Sequence, residues 1–396
     1  MWKGDQPRLI KQDAGLRARR AACLQGRIEE MTAIKVAVVG VGNCASSLVQ
    51  GIAHYRKTGS THGLIQEFVG DYAVKDIEVV LGIDVDQRKV GLPLGDAIFA
   101  SPNNTKSIDP DMAPNHAPVI MGKTLDGVAE HMRSAGERGF MLADETEASK
   151  EAIVTALRES EVDVLVNFLP VGSQQASEFY MQCALEAQVG VVNSIPVFIA
   201  SDPEWEARFR HAGLPIIGDD IKAQIGATIV HRMLSQLFAA RGVGVDHTYQ
   251  LNTGGNTDFM NMMDRERIGS KKISKTNAVQ SALSERLADE NIVIGPSEYV
   301  PFQKDNKVCF LRMEGEQFGG IPMNVEMRLS VEDSPNAAAC VVDAIRYCKV
   351  ARERGMAGAL TVPSAYYCKH PPVQMPEEEA EKLLEAQFGA LRHAAE

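Results

Sequence analysis

Short apolar runs alternate with helical stretches along the first half of the chain. "IKVAVVG" (34–40) is continuously apolar and ends on glycine, the pattern of a strand buried on both faces. "NCASSLVQGIAHYRK" then reads as a helix, and "IEVVLGIDVD" (77–86) as a second strand closing on acids. Residues 93–118, rich in Pro, Asn and Asp, read as a long loop of the kind that often carries function. Three helix-then-strand units follow: "ETEASKEAIVTALRES" into "VDVLVNFLP", "SQQASEFYMQCALEAQ" into "VGVVNSIP", and "DPEWEARFRHAG" into "LPIIGDD". This alternation predicts an α/β fold with a parallel sheet covered on both faces.

The pattern changes after "GDD". Ile221, Ile225, Ile229, Met233 and Leu237 recur every fourth residue, joined by Val230, Leu234 and Phe238, which predicts a long amphipathic helix. Strand-like runs come next at 245–252, 291–300, 307–313 and 323–331, with helix "SKTNAVQSALSERLADE" among them. Strands in series predict an antiparallel sheet in a second, α+β domain. "SPNAAACVVDAIRYCKVARERG" is helical again, with Ser334 or Asp333 as its cap and Pro335 in the first turn, and is expected to return to the first domain. "PEEEAEKLLEAQFGALRHAAE" reads as a solvated C-terminal helix. The expected domains are 31–222 plus 334–396, and 223–333 inserted between them.

At 396 residues with 45% hydrophobic content, the chain is long enough for both domains. A net charge of -11 argues against a general nucleic-acid surface and confines any anion site to a local basic pocket. Seven scattered cysteines form no CxxC or zinc-type spacing, so no metal ligands are assigned and a reduced, cytoplasmic setting is expected. No apolar run reaches the length of a membrane span. Residues 1–30 hold seven Lys/Arg and are read as a disordered basic extension; a targeting segment is the other reading, and Met31 is an alternative start.

"VVGVGNCASS" places Gly40, Gly42 and Ala45 in a G-x-G-x-x-A pattern between strand and helix. The first glycine permits the turn, the second admits a pyrophosphate to backbone N–H groups, and the third, small residue lets helix pack on strand. A helix N-terminus beginning at Asn43 would face the phosphates. The expectation is a Rossmann-type doubly wound sheet binding a dinucleotide. Asp84 at the end of the second strand would accept from ribose hydroxyls, favouring NAD, or else simply cap a loop. It lies 42 residues beyond Gly42, so "STHGLIQEFVGDYAVKD" must be an insertion. Cys44 sits where a helix terminus lowers a thiol pKa, although packing is the simpler role.

"NTGGNTDFMNMMDRERIGSKKISK" (252–275) crowds five cations into an acidic chain: Arg265, Arg267, Lys271, Lys272 and Lys275. On a helix, Arg267, Lys271 and Lys275 share a face at i,i+4, where like charges cost a few tenths of a kcal/mol each. Something anionic should compensate them. Taken with "VGVGNCASSLVQG", "LPVGS", "FIASDP", "GDDIK", "SKKISKTNAV", "DSPN" and "PSAYYCKHPP", this block resembles the myo-inositol-1-phosphate synthase family of the bacterial, actinobacterial type, in order from Lys35 to Pro372.

The resemblance implies conversion of glucose 6-phosphate to inositol phosphate, with NAD oxidising C5, an enolate closing the ring on C1, and hydride returning to the C5 ketone. It implies Lys271, Lys275, Lys307, Lys369, Asp220 and Asp333 as catalytic residues, with Lys369 polarising the C1 carbonyl and Asp333 balancing a lysine. It implies Asn256 and Thr257, with Lys271, Lys275 and Lys369, as substrate-binding residues. The implied NAD site comprises Gly40, Gly42, Asn43, Cys44, Ala45, Asp84, Tyr180, Asp220, Ala223 and Asp258, with a cation of unknown identity near the nicotinamide and a homotetrameric assembly. Lys272 is expected to face solvent. Two departures stand out: Ala223 replaces the family's serine, and Pro93 stands where related sequences often carry an acid. Two other readings remain open, a NAD-dependent dehydrogenase of another phosphorylated polyol and a non-catalytic NAD-binding regulatory homologue.

Overall fold

A computed structural model of the chain describes residues 33–283, 285–389 and 391, apart from the side chains of Ile268, Lys271, Pro296 and Ser297. The basic extension expected at 1–30 lies outside the described residues. Six strands of a first sheet lie between residues 34 and 217: β1 (Ile34–Val39), β2 (Ile77–Asp84), β3 (Val119–Met121), β4 (Val164–Asn167), β5 (Gly190–Asn193) and β6 (Pro215–Ile217). All pair in parallel, in the order β6-β5-β4-β1-β2-β3. Period-two alternation divides their side chains. Val36 and Val38 face a core with helices α1 (Asn43–Thr58) and α7 (Asp333–Glu353), while Ala37 and Val39 face α2 (Lys150–Glu159), α3 (Gln174–Ala187) and α4 (Pro203–His211). The sheet is therefore doubly wound. Its strand order reverses between β1 and β4, and a ligand crevice belongs at the carboxyl ends of those strands.

The segment after β6 supplies α5 (Ala227–Ala240), α6 (Gly269–Gln280) and a four-stranded sheet of β7 (Gly244–Gly254), β8 (Ile292–Tyr299), β9 (Asn306–Gln317) and β10 (Ile321–Glu332). Their order is β8-β7-β9-β10. The predicted antiparallel sheet is in fact mixed, because β7 and β8 pair in parallel. The 37 residues between Gly254 and Ile292, which carry α6, are ample for a crossover, whereas the three-residue turn between β9 and β10 forces a hairpin. A two-residue strand, β11 (Gly358–Ala359), then joins the edge of the first sheet beside β6.

Four helix expectations need correction. The helix expected over "SKTNAVQSALSERLADE" is the end of α6, which begins earlier at Gly269 and stops at Gln280. The apolar stripe from Ile221 to Leu237 is not a core face: the helix begins only at Ala227, and Ile225, Met233 (50%) and Leu237 (53%) are exposed. Its buried face is Ala227, Thr228, His231, Arg232, Ser235 and Phe238, the last packing with Cys309, Leu311 and Met313 of β9. Neither Ser334 nor Asp333 caps α7; Glu332 is the N-cap residue without a side-chain bond, since Asp333 and Ser334 are engaged elsewhere. The last helix, α8 (Glu377–Phe388), is not merely solvated. Ala380, Leu384 and Phe388 are buried, and Glu377 accepts from the buried Lys222 and Arg232. Among the described residues no helix is long and apolar enough to cross a membrane.

Candidate active site

The turn after β1 is shaped for a ligand. Gly40 has φ +90, and a Cβ there would lie 2.7 Å from the Phe168 carbonyl oxygen after β4, so both conformation and close approach demand glycine. Gly42 differs: its φ of -92 suits any residue, and a Cβ would meet nothing within 4 Å. The space itself explains the glycine, because a side chain would fill the approach to the N-terminus of α1, which has no side-chain cap. An anionic group fits that cradle, and the residues present suit a dinucleotide.

Asp84 accepts from Val41 N at 2.7 Å and from the backbone N–H groups of Val85 and Asp86. It thus caps a loop and lines the cleft at once. The intervening insertion is real and contains a small hairpin, Phe68–Val69 with Tyr72–Ala73. Asn43 lies at the start of α1, and Ala45 is fully buried behind it. Cys44 is not activated: burial pushes its thiol up to about 12. Tyr180 is buried on α3, and its hydroxyl accepts from Lys123 N at 2.8 Å. Ala223 lines the cleft, so the missing serine hydroxyl falls within the site; Pro93 is not among the lining residues but precedes the short helix Leu94–Ala97. Among the described residues no trio of His, Cys, Asp or Glu could hold a metal ion.

The same cleft is lined from the second sheet and the C-terminal segment. Lys307 enters from β9 and donates to Asp333 of α7 at 3.0 Å. Burial alone would lower its pKa, but the Asp333 carboxylate more than offsets that and the pKa is raised. Lys307 is therefore an ammonium, suited to holding anionic oxygen rather than removing protons. Lys369, just after the helix Thr361–Tyr367, donates to Asp220 Oδ1 at 2.8 Å and to the Ile221 carbonyl at 2.6 Å. Asp220 follows β6 and also accepts from Ser274 Oγ at 2.6 Å. Asn256 caps the short helix Thr257–Asn261, so Thr257 and Asp258 form its first turn on the cleft wall.

The five cations divide by partner. Lys275 is buried on α6 and lines the cleft. Arg265 pairs with Glu298, and Arg267 braces the LPVGS loop by donating to the carbonyls of Val171 and Asp126. Lys272 is exposed. Lys271 belongs to α6, but its side chain lies outside the described residues.

Sequence reasoning missed Asp305. It is 1% exposed and accepts five hydrogen bonds: from Asn43 Nδ2, Asn256 Nδ2 and Ser334 Oγ on Oδ1, and from Thr105 Oγ1 and Ser334 N on Oδ2. It ties together the start of α1, the 93–118 loop, the turn at Asn256 and the start of α7. Its place in "DNK", two residues before Lys307, was the available signal.

The chain is similar to known proteins in sequence and in fold. The family profile described as myo-inositol-1-phosphate synthase matches residues 226–334, the stretch containing α5, α6 and the four-stranded sheet. The chain is 50% identical over 360 residues to an inositol-3-phosphate synthase of Mycobacterium tuberculosis, covering 90% of this chain and 96% of that one. It is 49% identical to the Corynebacterium glutamicum inositol-3-phosphate synthase, covering 89% and 97%. Its fold matches the crystal structure of a myo-inositol-1-phosphate synthase-related protein from Thermotoga maritima, with a TM-score of 0.76 and 25% identity over 91% and 99% of the two chains.

Proposed function

The chain belongs to the inositol-3-phosphate synthase family of enzymes, and on that premise we propose that it converts D-glucose 6-phosphate to 1D-myo-inositol 3-phosphate with no net oxidation. Bound NAD supplies a reversible hydride acceptor for C5 of the sugar. The Gly40–Gly42 turn and the start of α1 hold the cofactor's phosphates, and Asp84 holds the adenosine ribose. Asn256, Thr257 and Lys275, with Lys271, take the substrate phosphate and the oxygens beside it. Asp258, Tyr180 and Ala223 line the cofactor side, and Asp220 stands at the nicotinamide end.

Ring closure passes negative charge through an enolate and then an alkoxide on the former C1 oxygen. Fixed ammonium groups in a water-poor cleft stabilise such oxyanions far better than bulk water does. We assign Lys369 to the C1 oxygen and Lys307, held by Asp333, to the enolate. The observation that carries the reading is the arrival of two lysine–carboxylate pairs, Lys307–Asp333 and Lys369–Asp220, at the cleft that also holds the glycine turn. We read 223–333 as a catalytic and tetramerisation insertion, its exposed α5 stripe and the β10 edge being the surfaces that assembly would cover.

The test incubates the protein with NAD and glucose 6-phosphate and measures inositol phosphate and NADH together. Product without net NADH is expected. Accumulating NADH identifies a dehydrogenase, and cofactor binding without turnover a regulatory homologue. Lys369→Ala should abolish product while NAD still binds; retained turnover removes Lys369 from the mechanism.

A further inference from the structure

Lys89 is 2% exposed, yet it lines the cleft beside the glycine turn. Its Nζ donates to the Val41 carbonyl at 2.8 Å and to Asn103 Oδ1 at 3.0 Å. An ammonium has three N–H donors, so one remains. Among the described residues no carboxylate lies within ion-pair distance of it. The nearby acids are already engaged: Asp84 accepts three backbone N–H groups and Asp86 pairs with Arg88. Burial lowers the Lys89 pKa, opposed by the Asp84 and Asp86 charges, which act without touching the ammonium. A buried charge with no counter-charge in contact is costly, and proteins keep one where a ligand provides the partner. Val41, whose carbonyl Lys89 grips, lies between the glycines of the turn, and the uncapped start of α1 adds its own partial positive charge there.

We propose that Lys89 is a ligand-binding residue of the dinucleotide cleft, its ammonium meeting a phosphate of the bound dinucleotide while it braces the Gly40–Gly42 turn. The inference rests on the dinucleotide reading above and adds a charged side chain to a phosphate cradle otherwise built from backbone and helix terminus.

The test titrates NAD, ADP and adenosine into wild type and Lys89→Met by calorimetry at one salt concentration. Methionine fills the space, and Asn103 Nδ2 still donates to the Val41 carbonyl at 3.1 Å, so the turn keeps a partner. Lys89→Gln, which retains a donor without the charge, is the second variant should the first fail to fold. Loss of a charge-assisted bond predicts affinity for NAD and ADP weaker by about ten- to a hundredfold, with adenosine changed by less than about twofold. Wild-type affinity of a folded variant for NAD and ADP overturns the proposal, as does an equal loss of adenosine, which would mean a collapsed turn. Failure of the wild-type protein to bind NAD overturns the dinucleotide reading itself, and this inference with it.

Discussion

Replacing Asp305 with asparagine tests whether one buried carboxylate holds the two sides of the cleft in register. Asn43, Asn256 and the Ser334 backbone reach it through groups that can only donate, so it works as an ionised acceptor, although burial and then the Asp333 charge raise its pKa. In Asp305→Asn the amide nitrogen settles best at the Oδ2 position, where Thr105 can rotate its hydroxyl but Ser334 N–H cannot. One orphaned N–H costs about 1–3 kcal/mol, and the remaining bonds lose their charge assistance. The sum is about 2–4 kcal/mol, or a melting temperature lower by roughly 2–5 °C for a chain of this size. Because displacement of about 1 Å at a reacting centre can cost about a hundredfold in rate, kcat should fall at least about tenfold well below the melting point. The assay pairs thermal melting at fixed protein concentration with inositol phosphate formation. An unshifted melt with wild-type turnover refutes the bridging role.

Two further outcomes follow from burial. His231 is held down to about 4 by burial on α5, against an ordinary value of 6.5, so the unfolded chain binds the extra proton and stability from this group is lost as pH falls through that window. Asp219 runs the other way: burial pushes it up to about 6 from 3.8, the folded state binds the proton first, and stability from it is lost as pH rises from 4 to 6. These slopes oppose each other in the wild type, and His231→Gln should leave the Asp219 slope uncovered, changing the pH 4–6 stability trend by up to about 3 kcal/mol; parallel melting curves against pH would contradict this. Met233→Glu with Leu237→Glu, on the exposed stripe of α5, should shift the proposed tetramer to smaller species in sedimentation, and an unchanged mass removes that stripe from the proposed interface.

What the sequence determined was local. Apolar runs ending on glycine marked the strands, their alternation with helices dictated a parallel sheet, and Gly40 and Gly42 marked the ligand end of β1, because each feature is written within one or two turns of chain. The block from Asn252 to Lys275 announced that cations matter, but not which ones. Tertiary structure made that division: Arg267 is spent on loop carbonyls, Arg265 on a surface pair, and Lys275 faces the cleft. The α5 stripe shows the same limit, since periodicity reports that a face is apolar but not whether this chain or another covers it. Asp305 and Lys89 went unread for a related reason. A buried charge takes its meaning from partners far along the chain, 262 residues away for Asp305 with Asn43, and only folding brings those partners to it.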